Sequence, residues 1–243
     1  MFSKIVYLIS GANRGIGYVY SLASALAAHP NTIVFAGAQD PVAQTLMDLT
    51  AKYPNVYLVK LTSADKTDNE AAILQIEKIA GQLDAIIANA DDHFGPLVTT
   101  PLHAFHEHFQ VNTLGPVVLF QAAHTLLLAS PTGEPIFAVI SSAIGSLGRF
   151  LSITATPYGM SKAAANFLVK TLDAEHPSLI TIAIESGWVS TDMGNAPVKI
   201  DDSIAGVLSR VNGATKEKSS GKFWNFKVAQ GNPWDIETKE VPW

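Results

Sequence analysis

Six short apolar runs, each nearly unbroken by polar residues, recur along the 243-residue chain with stretches of helical periodicity between them. Few folds accommodate that alternation. The runs are Ile5–Ile9, Thr32–Ala36, Val56–Lys60, Ala85–Ala88, Ile136–Ile140 and Ile180–Ile184, with a seventh candidate at Phe223–Phe226. A strand that is apolar on both faces is buried on both, as in parallel sheets covered by helices. The helical patterns between them are Gly15–Ala28, Pro41–Lys52, Thr67–Ala80, Leu102–Ala129 (two helices meeting near Val111) and Pro157–Glu175. Parallel strands joined by helices require right-handed crossovers, so the predicted class is α/β, a doubly wound parallel sheet of about seven strands. No repeat or long linker divides the chain. Residues 1–243 are therefore expected to form a single domain, with a loop over Asn212–Lys222 and an irregular C-terminal tail over 227–243.

Apolar residues make up 48% of the chain and charged residues 15%, which is ample material for a large core. A net charge of −5 argues against a nucleic-acid partner. The absence of cysteine excludes disulfides, thiolate metal sites and cysteine nucleophiles. Ile5–Ile9 is too short for the core of a signal peptide. The apolar region Leu114–Ala129 is interrupted by Pro116, Gln121 and His124 and falls short of a membrane span. A soluble, cytoplasmic protein with no membrane partner is expected. The apolar faces of Leu114–Ala129 and Ala163–Leu172 are candidates for contact in a homo-oligomer, a dimer or tetramer.

The first apolar run leads directly into Ser10-Gly11-Ala12-Asn13-Arg14-Gly15-Ile16-Gly17 and then a helical pattern. Gly11, Gly15 and Gly17 allow a tight turn that brings backbone N–H groups close to a pyrophosphate. The following helix directs its positive end at the same charge. A glycine turn on the first strand of an alternating chain is a dinucleotide site of Rossmann type.

Tyr158-Gly-Met-Ser-Lys162 places a phenol and an ammonium four residues apart, on one face of a helix. Thr156 and Pro157 suit the N-cap and first position of that helix, so Tyr158 stands near its positive terminus. Both the cation and the terminus favour phenolate, drawing the group towards the range of a general acid–base catalyst. Ser141 and Ser142 follow the run Ile136–Ile140, at the carboxyl end of a strand, where α/β sheets bind ligands.

Together these blocks resemble the short-chain dehydrogenase/reductase family, from Lys4 to about Phe226. Ser10–Gly17 is similar to its Thr-Gly-x-x-x-Gly-x-Gly turn, with serine for threonine. The resemblance implies that Tyr158 is the acid–base residue, that Lys162 lowers its pKa and holds the nicotinamide ribose, and that Ser142 hydrogen-bonds the substrate carbonyl while Ser141 bonds locally. It implies that Asn112 holds a helix bend open and positions a water for proton relay. Asn89-Ala90 resembles the family's Asn-Ala-Gly, with Asp91 in place of glycine. Ser186-Gly187-Trp188-Val189-Ser190-Thr191 resembles the Pro-Gly-x-Val-x-Thr stretch around the nicotinamide, with Ser186 in place of proline. The cofactor contacts implied are Gly11, Asn13, Arg14, Gly15, Ile16, Gly17, Gln39, Thr62, Asn89, Tyr158, Lys162, Gly187, Val189 and Thr191.

An acidic residue closing the second strand would bind the adenosine 2′-hydroxyl and repel a 2′-phosphate. Neutral Gln39 stands there, Asp40 follows it, and Arg14 is the natural phosphate partner, so NADP(H) is expected ahead of NAD(H). The segment between Thr191 and Gly213, the Gly-Lys-Phe-Trp-Asn-Phe run and the Val-Pro-Trp end look like fungal ketoreductases of the norsolorinic acid ketoreductase type. That likeness implies NADPH-dependent reduction of a small-molecule ketone, aromatic or polyketide-like.

His103, His106 and His108 do not share one helical face, so no metal site is expected. Phe223, Trp224 and Phe226 read as strand core. A sugar-nucleotide epimerase would need a larger C-terminal domain than this chain has room for. The alternative is a catalytically silent NADP(H)-sensing regulator on the same fold, to which Asp91 and Ser186 lend weight.

Overall fold

A computed structural model describes residues 4–13, 22–89, 95–189, 197–226 and 240–243. The predicted site residues Arg14, Gly15, Ile16, Gly17 and Thr191, together with Asp91, lie outside them. Seven parallel strands form one sheet: β1 (Ile5–Ile9), β2 (Thr32–Ala38), β3 (Val56–Lys60), β4 (Ala85–Ala88), β5 (Ile136–Ser141), β6 (Ile180–Glu185) and β7 (Lys222–Asn225), in spatial order β3-β2-β1-β4-β5-β6-β7. The order reverses between β1 and β4, which opens a crevice at their carboxyl ends, the ligand position of doubly wound sheets.

Helices cover both faces: α1 (Leu22–Ala27), α2 (Gln44–Lys52), α3 (Lys66–Ala80), α4 (Leu102–Phe109), α5 (Gly115–Leu128), α6 (Thr156–Glu175), α7 (Ile200–Asn212) and the short α8 (Lys216–Ser219). Alternate strand residues feed two cores. Ile9, Val34, Ile87, Ile140 and Ile182 meet α1, α2 and α7. Leu8, Phe35, Ile86, Val139 and Ala183 meet α3, α5 and α6. Both faces of the central strands are therefore apolar, which is why they read as unbroken runs.

Asn212–Lys222 is not all loop, because α8 lies within it, its first turn capped by the Thr215 hydroxyl accepting from the Lys218 N–H. The preceding α7 has a legible apolar face at Ile204, Val207 and Val211 and acidic residues in its first turn. The end of the tail is docked: Glu240 bridges to Trp224, Val241 is fully buried, and Trp243 stacks on Phe223.

The expected pair of helices over Leu102–Ala129 forms one continuous helical stretch. A single π-helical turn at Gln110–Leu114 joins α4 to α5. The whole, Leu102–Leu128, is long and apolar enough by length and composition to cross a membrane, unlike the shorter run read from sequence. Here α5 packs against α3, and α4 against α6, burying Leu119, Phe120, Ala123 and Leu127 in the sheet layer.

Candidate active site

The crevice between β1 and β4 is closed by side chains from both strand ends. The Ser10 hydroxyl accepts from the backbone N–H of Asn89 at 3.1 Å, and the Asn89 amide donates to the Gly11 carbonyl at 3.4 Å. Gly11 has φ of +63°, a conformation that strains a side chain, and a Cβ there would stand a tight 3.2 Å from Asn89 Nδ2. Asn13 is half-buried beyond it. A small cleft runs on between Ser10, Ser63, Asn89, Val111 and Gly115. The cleft lies at the topological switch point, and the polar Ser10, Ser63 and Asn89 beside the tight Gly11 turn are compatible with a dinucleotide.

At the end of β2, Gln39 is exposed and neutral. Asp40 turns back on its own chain, its carboxylate accepting from the Val42 N–H at 3.1 Å. The Thr62 hydroxyl donates to Asp68 at 2.6 Å, and Asp68 pairs with Lys60 at 3.1 Å.

The acid–base candidates meet at the carboxyl ends of β5 and β6. Helix α6 begins at Thr156, one residue earlier than read from sequence, with Pro157 next and Tyr158 in the first turn. Lys162 is 2% exposed, and its ammonium donates to the Ile140 carbonyl at 2.8 Å, lying 5.3 Å from the centre of the Tyr158 ring. A fully buried ammonium is costly unless it is held by acceptors, so β5 anchors the cation under the phenol.

Ser142 sits on the turn after β5, where its hydroxyl accepts from the Ile144 N–H at 3.3 Å and caps the 3-10 turn Ala143–Gly145. That turn lies flush on α6: a Cβ at Gly145 would come within 2.6 Å of Lys162 Cβ. Ser141 does not bond locally. It donates across to Asn166 of α6 at 2.5 Å.

Asn112 occupies the π turn, 1% exposed, and its amide donates to the Ser161 hydroxyl at 3.0 Å. A π turn widens the helix and turns one side chain across it, here towards α6. Of the three histidines of α4, His103 and His106 are exposed, whereas His108 is buried with its ring edge-on to Tyr158 at 6.1 Å. Gly187 adopts φ of +81° against the Phe226 ring, and Val189 pairs with Val198 after it.

Three participants escaped the sequence reading. Ser161 lies inside the Tyr-x-x-x-Lys spacing and Asn166 one turn on. Glu185 closes β6, and its signal was a lone acid ending an apolar run. Burial pushes its carboxyl above the usual range, against the opposing pull of backbone N–H groups, Lys162 and Ser142.

Residues 5–199 match the sequence profile of the short chain dehydrogenases. The chain belongs to the short-chain dehydrogenase family. With that family it is an oxidoreductase acting on carbonyl or CH–OH groups. It is 33% identical to the norsolorinic acid ketoreductase of Dothistroma septosporum over 95% of this chain and 93% of that one. It is 34% identical to the norsolorinic acid ketoreductase of Aspergillus parasiticus over 95% and 92%. Among solved structures, the NADPH-bound carbonyl reductase from chicken fatty liver superposes with a TM-score of 0.86 at 28% identity, covering 100% of both chains. A carbonyl reductase from Pseudomonas aeruginosa gives 0.78 at 27% identity, covering 98% of this chain and 100% of that one.

Proposed function

We propose that this oxidoreductase is an NADPH-dependent ketoreductase, with Tyr158 as proton donor, Lys162 and Ser142 as its partners and Asn112 in the proton path. The observation that carries the reading is the buried Lys162 ammonium, held on the Ile140 carbonyl beneath the Tyr158 ring and beside the Ser142 turn.

Gly11, Asn13, Arg14, Gly15, Ile16 and Gly17 would hold the phosphates of the cofactor, with Thr62 and Asn89 on the adenine side. Tyr158, Lys162, Gly187, Val189 and Thr191 would hold the nicotinamide end. When bound, the cofactor supplies a hydride for the carbonyl carbon. The chain does the rest. Tyr158 Oη gives its proton to the carbonyl oxygen, and Ser142 Oγ donates a hydrogen bond that orients the same oxygen. Lys162 stabilises the phenolate left behind.

NADP(H) is favoured over NAD(H) because Gln39 is neutral and Asp40 spends its carboxylate on Val42. A bulky apolar ketone, aromatic or polyketide-like, is favoured by Leu97, Val98, Leu147, Phe150 and Trp188, all exposed on segments that leave the carboxyl edge of the sheet. The likeness to the norsolorinic acid ketoreductases points the same way.

The test is NADPH oxidation followed at 340 nm over a panel of aromatic and aliphatic ketones. Turnover, with preference for the larger aromatic ketones, supports the reading. Tight NADPH binding with no reduction across the panel contradicts it and favours a cofactor sensor.

A further inference from the structure

Glu185 ends β6 and is only 9% exposed. In the sheet it lies between Ser141 of β5 and Asn225 of β7, on the face that α6 covers. One carboxylate oxygen accepts from the Gly187 N–H at 3.1 Å, and the other accepts from the Ala143 N–H. These amides belong to different loops. Ala143 follows Ser142 directly, and Gly187 opens the segment assigned to the nicotinamide end. The Lys162 ammonium, from α6, and the neighbouring Ser142 favour the charged form of this carboxyl against its burial. A buried carboxylate is costlier than an apolar residue of similar size, so stability alone does not account for an acid here.

We infer that Glu185 is a positioning residue, whose carboxylate clamps the Ser142 turn to the Gly187 turn and so holds the serine hydroxyl against Tyr158 and Lys162. This rests on the ketoreductase reading of the site. Among the described residues, Lys162 is the charged group that acts on the carboxylate, from α6. Ser141 and Asn225 on the flanking strands, and Ser142 just after β5, carry no charge.

The clamp needs both oxygens as acceptors, and protonation removes that. Because burial raises the carboxyl above its ordinary value, the clamp is complete above that raised value and loosens as pH falls through it. The wild-type enzyme therefore has an acidic limb in kcat/KM that belongs to Glu185.

The experiment compares wild type, Glu185→Gln and Glu185→Asp for ketone reduction by NADPH across the acidic to neutral range, with thermal melting and NADPH binding as controls. Glutamine keeps the shape but places an amide where an acceptor is needed. A displacement of about 1 Å in the reacting groups lowers kcat on the order of 10–100-fold, with the KM for NADPH little changed. In Glu185→Gln the acidic limb disappears, and Glu185→Asp retains it. If Glu185→Gln keeps both its kcat and the limb, the inference is overturned. A variant that loses melting temperature and activity in step, limb intact, assigns Glu185 a structural role and overturns it equally. If wild type reduces no ketone and Tyr158→Phe changes nothing, the ketoreductase reading itself fails, and the assigned role falls with it.

Discussion

The side-chain amide of Asn112 donates to the Ser161 hydroxyl at 3.0 Å, and that hydroxyl donates onward to the carbonyl of Tyr158 at 2.8 Å. The Thr113 hydroxyl adds a bond to the Ser161 carbonyl at 2.9 Å. The π turn is thus fastened to the first turns of α6, where Tyr158 and Lys162 stand. Removing the hydroxyl in Ser161→Ala takes an acceptor from a buried amide, which costs about 1–3 kcal/mol. Urea denaturation reads that loss, and steady-state kinetics read a fall in kcat greater than any change in KM. Unchanged kcat with reduced stability would separate this chain of bonds from catalysis.

Gly145 tests how closely the Ser142 turn must lie on α6. A Cβ there meets Lys162 Cβ at 2.6 Å and the Ala163 nitrogen at 2.7 Å, so backbone has to move. Overpacking in Gly145→Ala costs roughly 1–3 kcal/mol. The turn lifts away from Lys162, and ketone reduction falls while NADPH binding by fluorescence is retained.

Cofactor choice is tested at the end of β2. Gln39→Asp sets a negative charge at the proposed 2′-phosphate position and raises the KM for NADPH on the order of 10-fold relative to that for NADH. Asp40→Ala leaves the preference unchanged, because that carboxylate caps the Val42 N–H. Ratios of kcat/KM with the two cofactors decide both.

Acid sensitivity of the fold is expected at Asp173. Burial pushes this carboxyl up, but hydrogen bonds from Lys216 at 2.8 Å and Ser220 at 2.5 Å outweigh it and hold it below the usual range. The unfolded chain then binds the proton more readily than the folded one. Asp173 therefore contributes stability above the ordinary aspartate range, and that share is lost as pH falls through the lowered value. In Lys216→Met the protein is less stable at neutral pH, and the decline on acidification is smaller. Denaturation series at several pH values measure both slopes.

Much of this architecture was legible because burial on two faces leaves an unambiguous mark. Ile5–Ile9, Ala85–Ala88 and Ile136–Ile140 read as strands buried on both faces, and the Tyr158–Lys162 spacing sets both groups on one face of a helix. The π turn was half visible, as a change of direction near Val111, but which side chain it would send to α6 depends on a partner 49 residues away. Helix α7 carried its apolar face openly at Ile204, Val207 and Val211 and went unread beside the cofactor motif before it. The docking of Val241 and Trp243 was not legible, because it depends on the surface that β7 and the Ser146–Gly148 turn create together: Ser146 donates to the Pro242 carbonyl at 2.5 Å and the Gly148 N–H to that of Trp243 at 2.6 Å. Glu185 is the instructive omission, since an acid at the end of a buried strand is itself a signal.

The central claim is hydride transfer to a carbonyl carbon with Tyr158 as the proton donor. The most direct measurement supplies NADPH deuterated at nicotinamide C4, with an aromatic ketone that turns over, to wild type and to Tyr158→Phe. Mass spectrometry then follows the label into the product. Deuterium is expected on the carbinol carbon with wild type, and with Tyr158→Phe NADPH binding is retained while labelling falls by several orders of magnitude. Equal labelling by the two proteins, or none by either, would contradict it.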